Sequence, residues 1–262
     1  MILLIIINLP NRSIQTRIYF MRLHRIYYPF NADLADYVLI EDDKAHYIRN
    51  VLRLKAGRQL RVFNHKQHEF LAEIIAVNKK NIEIKMLETI DTILPSKLEI
   101  TLMQGLSKGE RMDYTVQKAT ELGITNIIPI ISEYCEVKLT GKRLDKKLNH
   151  WRNIATSACE QSFRAEIPNI LPPISITEYS QSQHQGILLE PEELKTIKQV
   201  AKENWQKFDI VVGPEGGWSE ADLKLLKSTG LMGIQFGQRI LRTETVAPAI
   251  LAAIHSLWGD FI

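Results

Sequence analysis

From residue 98 onward the chain alternates strand-like apolar runs with helical stretches, and this alternation constrains its fold more than any other feature. Leu98 to Met103, Asn126 to Ile131, Ile187 to Leu189, Asp209 to Val212 and Met232 to Phe236 read as strands. Between them lie helical segments at about Glu110 to Leu122, Arg143 to Ser162, Glu192 to Lys202 and Glu220 to Ser228, with a last helix ending near Trp258. Strand, helix, strand in repetition predicts an α/β fold on a parallel sheet, since parallel neighbours need a crossover long enough to hold a helix. Gly123 and Gly230 fall where helices should stop, and Ser219 with Asp222 resembles a capping box. Pro248 removes a donor from the second turn of the last helix, where a kink is expected.

Upstream the period changes. From Gln59 to Glu88 apolar and polar residues alternate in Leu60 to Phe63, Phe70 to Ile74 and Ile82 to Met86, the signature of half-buried strands, with Asn78 to Asn81 as a hairpin turn. A small β-barrel or meander over residues 21–92 follows, joined by a linker at Leu94-Pro95-Ser96 to an α/β domain over 96–262. The opening run Met1 to Ile7 is apolar, but a bilayer span needs about 20 such residues. It lacks a basic n-region and a cleavage site, and Asn8-Leu9-Pro10 interrupts it. Residues 1–20 are therefore expected to be a leader outside the fold, which begins at Met21.

The formal net charge is +3, made of +2 in residues 1–20, +2 in 21–95 and −1 in 96–262. Any nucleic-acid contact must come from local clusters. One lies at Arg22, His24, Arg25, Tyr27 and Tyr28, where Arg49 and Arg53 add a second basic row. Another is Lys138, Lys142, Arg143, Lys146, Lys147 and Arg152, which a solvated helix face explains equally well. Cys135 and Cys159 belong to no ligand-spaced group, so reduced thiols in the cytoplasm are expected, with no metal site and no membrane span.

In an open α/β sheet, ligands bind beyond the carboxyl ends of the strands. Three junctions stand out there. Gly213-Pro214-Glu215-Gly216-Gly217 follows a buried strand and precedes a capped helix, so its backbone is able to approach a ligand without Cβ interference; alone, it is equally a tight turn. Phe236 to Thr245 offers apolar Ile240 and Leu241 beside Arg239, Arg242, Thr243, Glu244 and Thr245; alone, it reads as a salt-bridged helix start with Thr243 as N-cap. Ile187 to Pro191 is simply a strand end.

Together the three segments are specific. Gly-Pro-Glu-Gly-Gly-Trp-Ser at 213–219, with Gly237 and the run Arg239 to Thr245, closely resembles the RsmE family of 16S rRNA uridine-N3 methyltransferases in the SPOUT superfamily. The likeness extends to Lys108 to Met112, Gln117-Lys118, Glu121 to Gly123, Glu160-Gln161, Arg25 to Tyr27 and Val51 to Leu54, covering about residues 21–262. It implies a PUA-like β-barrel domain followed by a SPOUT-type parallel sheet with a C-terminal trefoil knot, and a homodimer. It also implies an S-adenosylmethionine pocket formed by Leu188, Leu189 and Glu190, by Gly213, Pro214, Glu215, Gly216 and Gly217, and by Phe236, Gly237, Ile240, Leu241, Arg242, Thr243 and Thr245. Gln238, Val246 and Pro248 depart from the family's usual pattern.

Methylating a uracil N3 requires its deprotonation, for which Glu215 and Glu244 are the candidate bases, with Arg242 stabilising charge on the carbonyls. Taken singly, each glutamate reads more readily as satisfying loop amides. Lys108, Arg111 and Arg164 join the RNA-binding candidates through the resemblance, and the partner implied is 16S rRNA of the small ribosomal subunit. Two rival readings remain at the level of sequence. In a non-catalytic RNA-binding assembly factor the barrel would bind RNA and the α/β domain only dimerise; a nucleotide-phosphate enzyme would need a GxxxxGK[ST] or GxGxxG that the chain lacks.

Overall fold

The structure is a computed structural model that describes residues 23–31, 36–135, 137 and 139–261. The expected leader, and Arg22 and Lys138 among the basic candidates, lie outside the described residues. The chain divides into two compact units, and the short segment Phe163–Glu166 belongs with the first.

In the first unit the elements are β1 (Arg25–Tyr27), β2 (Tyr37–Ile40), α1 (Asp42–His46) running into a π-helical turn at Tyr47–Val51, β3 (Gln59–Phe63), β4 (Glu69–Val77) and β5 (Ile82–Ile90). They form one sheet in the order β1-β3-β4-β5-β2, antiparallel except for the β1–β3 pair. Period two is clearest in β5, where Ile82, Ile84 and Met86 are buried while Glu83 and Lys85 are half-exposed. The hairpin at Asn78 to Asn81 closes through the Asn78 amide donating to the Asn81 carbonyl at 2.9 Å. Arg61 breaks the alternation of β3: it is buried because Glu69, at the start of β4, accepts from its Nε at 2.5 Å. β1 and β2 escape the sequence reading because three or four residues hold too few alternations to register.

The second unit holds β6 (Glu99–Gly105), α2 (Glu110–Glu121), β7 (Asn126–Ile131), α3 (Gly141–Ser162), β8 (Asn169–Ile170), β9 (Ile174–Ser175) and α4 (Ile176–Tyr179). There follow β10 (Gly186–Leu189), α5 (Ile197–Val200), β11 (Lys207–Val212), α6 (Glu220–Ser228), β12 (Met232–Ile234) and α7 (Thr243–Leu257). The sheet is parallel throughout, in the order β12-β10-β11-β6-β7-β8, with β9 also on β7. Both faces are covered, which explains the continuous apolar runs. Ile210 and Val212 pack with Val116, Trp151 and Ile250 of α2, α3 and α7, while Val211 packs on the opposite face with Leu226 of α6. Pro129 is tolerated inside β7 because β8 pairs with Asn126 and Ile127 and β9 with Ile130 and Ile131, leaving its position unpaired on that side.

The helix expected over Glu192 to Lys202 shrinks to the single turn of α5. Pro191 opens a loop whose carbonyls are taken by β12's neighbour: the Gln235 amide donates to Lys195 at 2.7 Å and its side chain to Pro191 at 3.0 Å. Thr196 then starts the turn with a capping box to Gln199. The capping box of Ser219 with Asp222 starts α6 as the sequence indicates. Helix α7 runs through Pro248, which lacks the amide that would otherwise bond the Glu244 carbonyl. Among the described residues no helix is long and apolar enough to cross a membrane.

Candidate functional site

At the carboxyl ends of β10 and β11 the second unit opens into a cavity of about 740 Å³. One wall is Leu189 and Glu190, leaving β10; another is Gly213, Pro214, Glu215 and Gly217, leaving β11; a third is Ile240, Leu241, Arg242, Thr243 and Glu244, entering α7. The three segments singled out in the sequence therefore converge. Gly217 holds a φ of +72°, so the loop turns there at no steric cost before Ser219 caps α6.

Several expected contacts fall elsewhere. Leu188 is buried on the opposite face of the sheet, because period two alternates it with Leu189. Gly216, Phe236, Gly237 and Thr245 do not line the cavity. Thr243 lines it but is not an N-cap: Arg242 occupies that position without a side-chain cap, and Thr243 is the first helical residue. Its hydroxyl donates to the Gly213 carbonyl at 2.6 Å and accepts from Gln104 Nε2 at 2.8 Å.

Arg111, expected at an RNA surface, instead reaches the cavity from the first turn of α2. Its guanidinium donates to Glu215 Oε1 at 2.6 Å and lies 3.9 Å from Glu244 Oε2. Glu215 also accepts from the Lys108 amide at 3.2 Å. Burial by itself would raise the Glu215 carboxyl, but the hydrogen bonds from Arg111 and from backbone amides hold it below the usual carboxylate range. A carboxylate so held is a poor proton acceptor. Glu244 Oε2, in contrast, is buried and makes no hydrogen bond among the described residues. At Glu190 burial dominates and pushes the carboxyl up. The lining charges are unequal: glutamates 190, 192, 215, 220 and 244 face only Arg111 and Arg242. That balance suits a cationic ligand and opposes a polyphosphate.

The other basic candidates scatter. Arg25 is 6% exposed; its guanidinium forks onto Glu69 with two bonds of 3.0 Å and lies over the Phe63 ring. Arg25 is thus an internal residue, withdrawn from any RNA surface by the partner that neutralises it. Tyr27 packs against Phe63, and burial raises its hydroxyl. Arg49 donates to the carbonyls of Asn78 and Lys79 in the hairpin. Arg164 is half-buried, 3.8 Å from Glu166, whereas His24, Arg53 and Lys108 are exposed. On α3, Lys142, Arg143, Lys146 and Arg152 are exposed, and Lys147 is paired with Asp113 at 3.1 Å. Sequence reasoning missed Gln104, Trp218 and the cavity role of Arg111. For Gln104 the available signal was a lone amide residue closing an apolar strand directly before a glycine.

Comparison with known proteins bears on this site. Residues 94–255 match the RNA methyltransferase domain family, and residues 40–87 the RNA methyltransferase PUA domain. Ribosomal RNA small subunit methyltransferase E of Buchnera aphidicola (Schizaphis graminum) is 34% identical over 242 residues, covering 91% of this chain and 98% of its own. The Bacillus subtilis protein of the same name is 29% identical over 231 residues, covering 82% and 88%. Among solved structures, a Neisseria gonorrhoeae ribosomal RNA small subunit methyltransferase E bound to S-adenosyl methionine has a TM-score of 0.84 at 34% identity, covering 92% of this chain and all of that one. A Legionella pneumophila structure with the bound cofactor SAM has a TM-score of 0.87 at 33% identity, with the same coverage. On these matches the chain belongs to the RsmE family of RNA methyltransferases.

Proposed function

We propose that the protein uses S-adenosylmethionine to methylate N3 of a uridine in 16S rRNA of the small ribosomal subunit, in the cytoplasm and as a homodimer. Residues 21–92 serve as the PUA-like RNA-binding barrel and 96–262 as the methyltransferase domain. The observation that carries the reading is the cavity where β10, β11 and the entry to α7 converge. Its volume of about 740 Å³ lies in the range of small-molecule sites, and its glutamate excess complements a sulfonium and an ammonium. Leu189, Ile240 and Leu241 supply apolar wall for an adenine, and Gly213 and Gly217 let the backbone approach it. When bound, S-adenosylmethionine supplies a methyl group activated by positively charged sulfur.

The chain's own groups divide the remaining work. Glu244, with a buried carboxylate oxygen free of hydrogen bonds among the described residues, takes the N3 proton. Glu215 is held by Arg111 and the Lys108 amide, and fixes the loop. Arg242, exposed at the rim, stabilises charge on the uracil carbonyls. A uridine must be unpaired or flipped to present N3; the exposure of His24 and Arg53 in the first unit, and of Lys108 in the second, supports a role for each in holding RNA. Dimer formation is supported by α7, whose half-exposed face carries the small residues Ala249, Ala252 and Ala253.

The test is titration of the wild-type chain with S-adenosylmethionine by calorimetry, followed by mass mapping of 16S rRNA from cells lacking the protein. Binding, together with loss of one uridine methyl mark, is expected; a chain that ignores the cofactor while still binding RNA is an assembly factor. Single-turnover methylation by Glu244→Gln and Glu215→Gln separates the roles. Glu244→Gln should lose about 10² in rate or more, and an unchanged rate removes it as the base.

A further inference from the structure

Behind the cavity, outside its lining, the penultimate residue of β6 is a glutamine with no solvent exposure. Gln104 Nε2 donates to Thr243 Oγ1 at 2.8 Å and to the Gly105 carbonyl at 3.3 Å. The Thr243 hydroxyl donates onward to the Gly213 carbonyl at 2.6 Å. Directions in this chain are fixed by chemistry. A carbonyl only accepts, so Thr243 spends its single proton on Gly213 and must accept from Gln104. The amide cannot be turned round, because its oxygen would then face the Gly105 carbonyl. Gln104 Oε1 itself has no hydrogen-bond partner among the described residues, a cost retained in the folded protein.

We infer that Gln104 is a positioning residue for the cofactor: through Thr243 it clips the loop after β11 to the start of α7, setting the distance between two walls of the cavity. The assignment rests on the cavity being the S-adenosylmethionine site. Gly213 opens one wall of the cavity and Thr243 lies within another, and β6 is the strand beside β11 on which both are referenced. No other side chain hydrogen bond among those the structure describes joins the two segments directly. A neutral donor is required at 104. A carboxylate there would face the Gly105 carbonyl and compete with the Gly213 carbonyl for the Thr243 proton.

Four variants test this: Gln104→Met, which keeps volume and removes the donor; Gln104→Glu, which reverses the polarity; Thr243→Val; and Thr243→Ser. Each is compared with wild type for S-adenosylmethionine affinity by calorimetry, for KM of cofactor and of RNA, and for thermal midpoint without cofactor. Gln104→Met and Thr243→Val should each raise the cofactor KM by roughly tenfold with the RNA KM unchanged. The double variant should be no worse than either single one, and Thr243→Ser should retain wild-type affinity. If Gln104→Glu does not fold, the Met and Val variants still decide. Wild-type cofactor affinity in Gln104→Met, additive losses in the double variant, or a Thr243→Ser as impaired as Thr243→Val would overturn the assignment while leaving the enzyme reading intact. A wild-type chain that binds no S-adenosylmethionine overturns both.

Discussion

Gly105→Ala puts one methyl group into the joint between β6 and the loop after β11. A Cβ built at Gly105 lies 2.2 Å from the Pro214 nitrogen and 2.6 Å from the Gly213 carbonyl carbon. Both are backbone atoms, so no rotamer change relieves the overlap. Ordinary contact begins at 3.4 Å, and the Gly213–Pro214 peptide must therefore retreat by about 1.2 Å. Overpacking of this kind costs about 1–3 kcal/mol of stability. The functional loss should be larger relative to its scale, because a displacement of about 1 Å at a reacting geometry costs on the order of 10² in rate. The assay is single-turnover methyl transfer to 16S rRNA at saturating cofactor, with urea unfolding of the same preparation. A folded Gly105→Ala protein with wild-type rate and wild-type cofactor affinity would refute the claim that this close approach positions the loop.

Three other outcomes follow from the packing. Glu69→Gln replaces the carboxylate shared by buried Arg25 and Arg61 with a neutral amide, and should cost the first unit about 3–5 kcal/mol in chemical denaturation; a change confined to the salt dependence of RNA binding would instead place Arg25 at the RNA. Ser219→Ala should cost about 1 kcal/mol through loss of the cap on the Asp222 amide. Asp222→Ala should cost more, about 2 kcal/mol, since the Ser219 and Glu133 amides both lose their acceptor; equal costs would contradict this. Burial pushes Asp113 up, yet hydrogen bonds from His150, Lys147 and Trp151 hold its carboxyl below the usual value. Its stabilisation is thus full above the unfolded carboxylate pKa of about 3.9 and lost as pH falls through the lower folded value. The stability gap between wild type and Asp113→Asn should accordingly close in acid, and a gap constant from neutral pH down to strong acid would sink the argument.

The sheet was legible because its physics is local. Strands covered on both faces are predominantly apolar, and Ile187 to Leu189 and Ile210 to Val212 show it without knowledge of their neighbours. Strands β8 and β9, of two residues each, are too short to form such a run. Arg25 illustrates the opposite case: beside His24 and Tyr27 it reads as part of a basic aromatic surface, and only Glu69, 44 residues further on, turns it inward. The expected helix at Glu192 to Lys202 fails for the same kind of reason, since Gln235, from beyond β12, takes the Lys195 and Pro191 carbonyls. Periodicity records which face a residue presents but carries no information about a partner supplied from another element.

The same distinction separates the cavity's walls from what holds them. Glycines and small polar residues gathered at strand ends are visible as motifs because ligand approach demands those residue types there. The link that spaces the walls has no such signature: Gln104 and Thr243 are 139 residues apart, and neither alone differs from a polar residue at the end of a strand or the start of a helix. Yet the position of the loop after β11 depends on that link, because Gly213 offers it only a carbonyl, and Gly105 beside it only a carbonyl and the absence of a side chain. Donor, relay and acceptor must be present together for any one of them to have an effect. It follows that changes at 104 and 243 should act as a unit on cofactor affinity, while changes to cavity-lining residues outside that link, such as Ile240, should add to them.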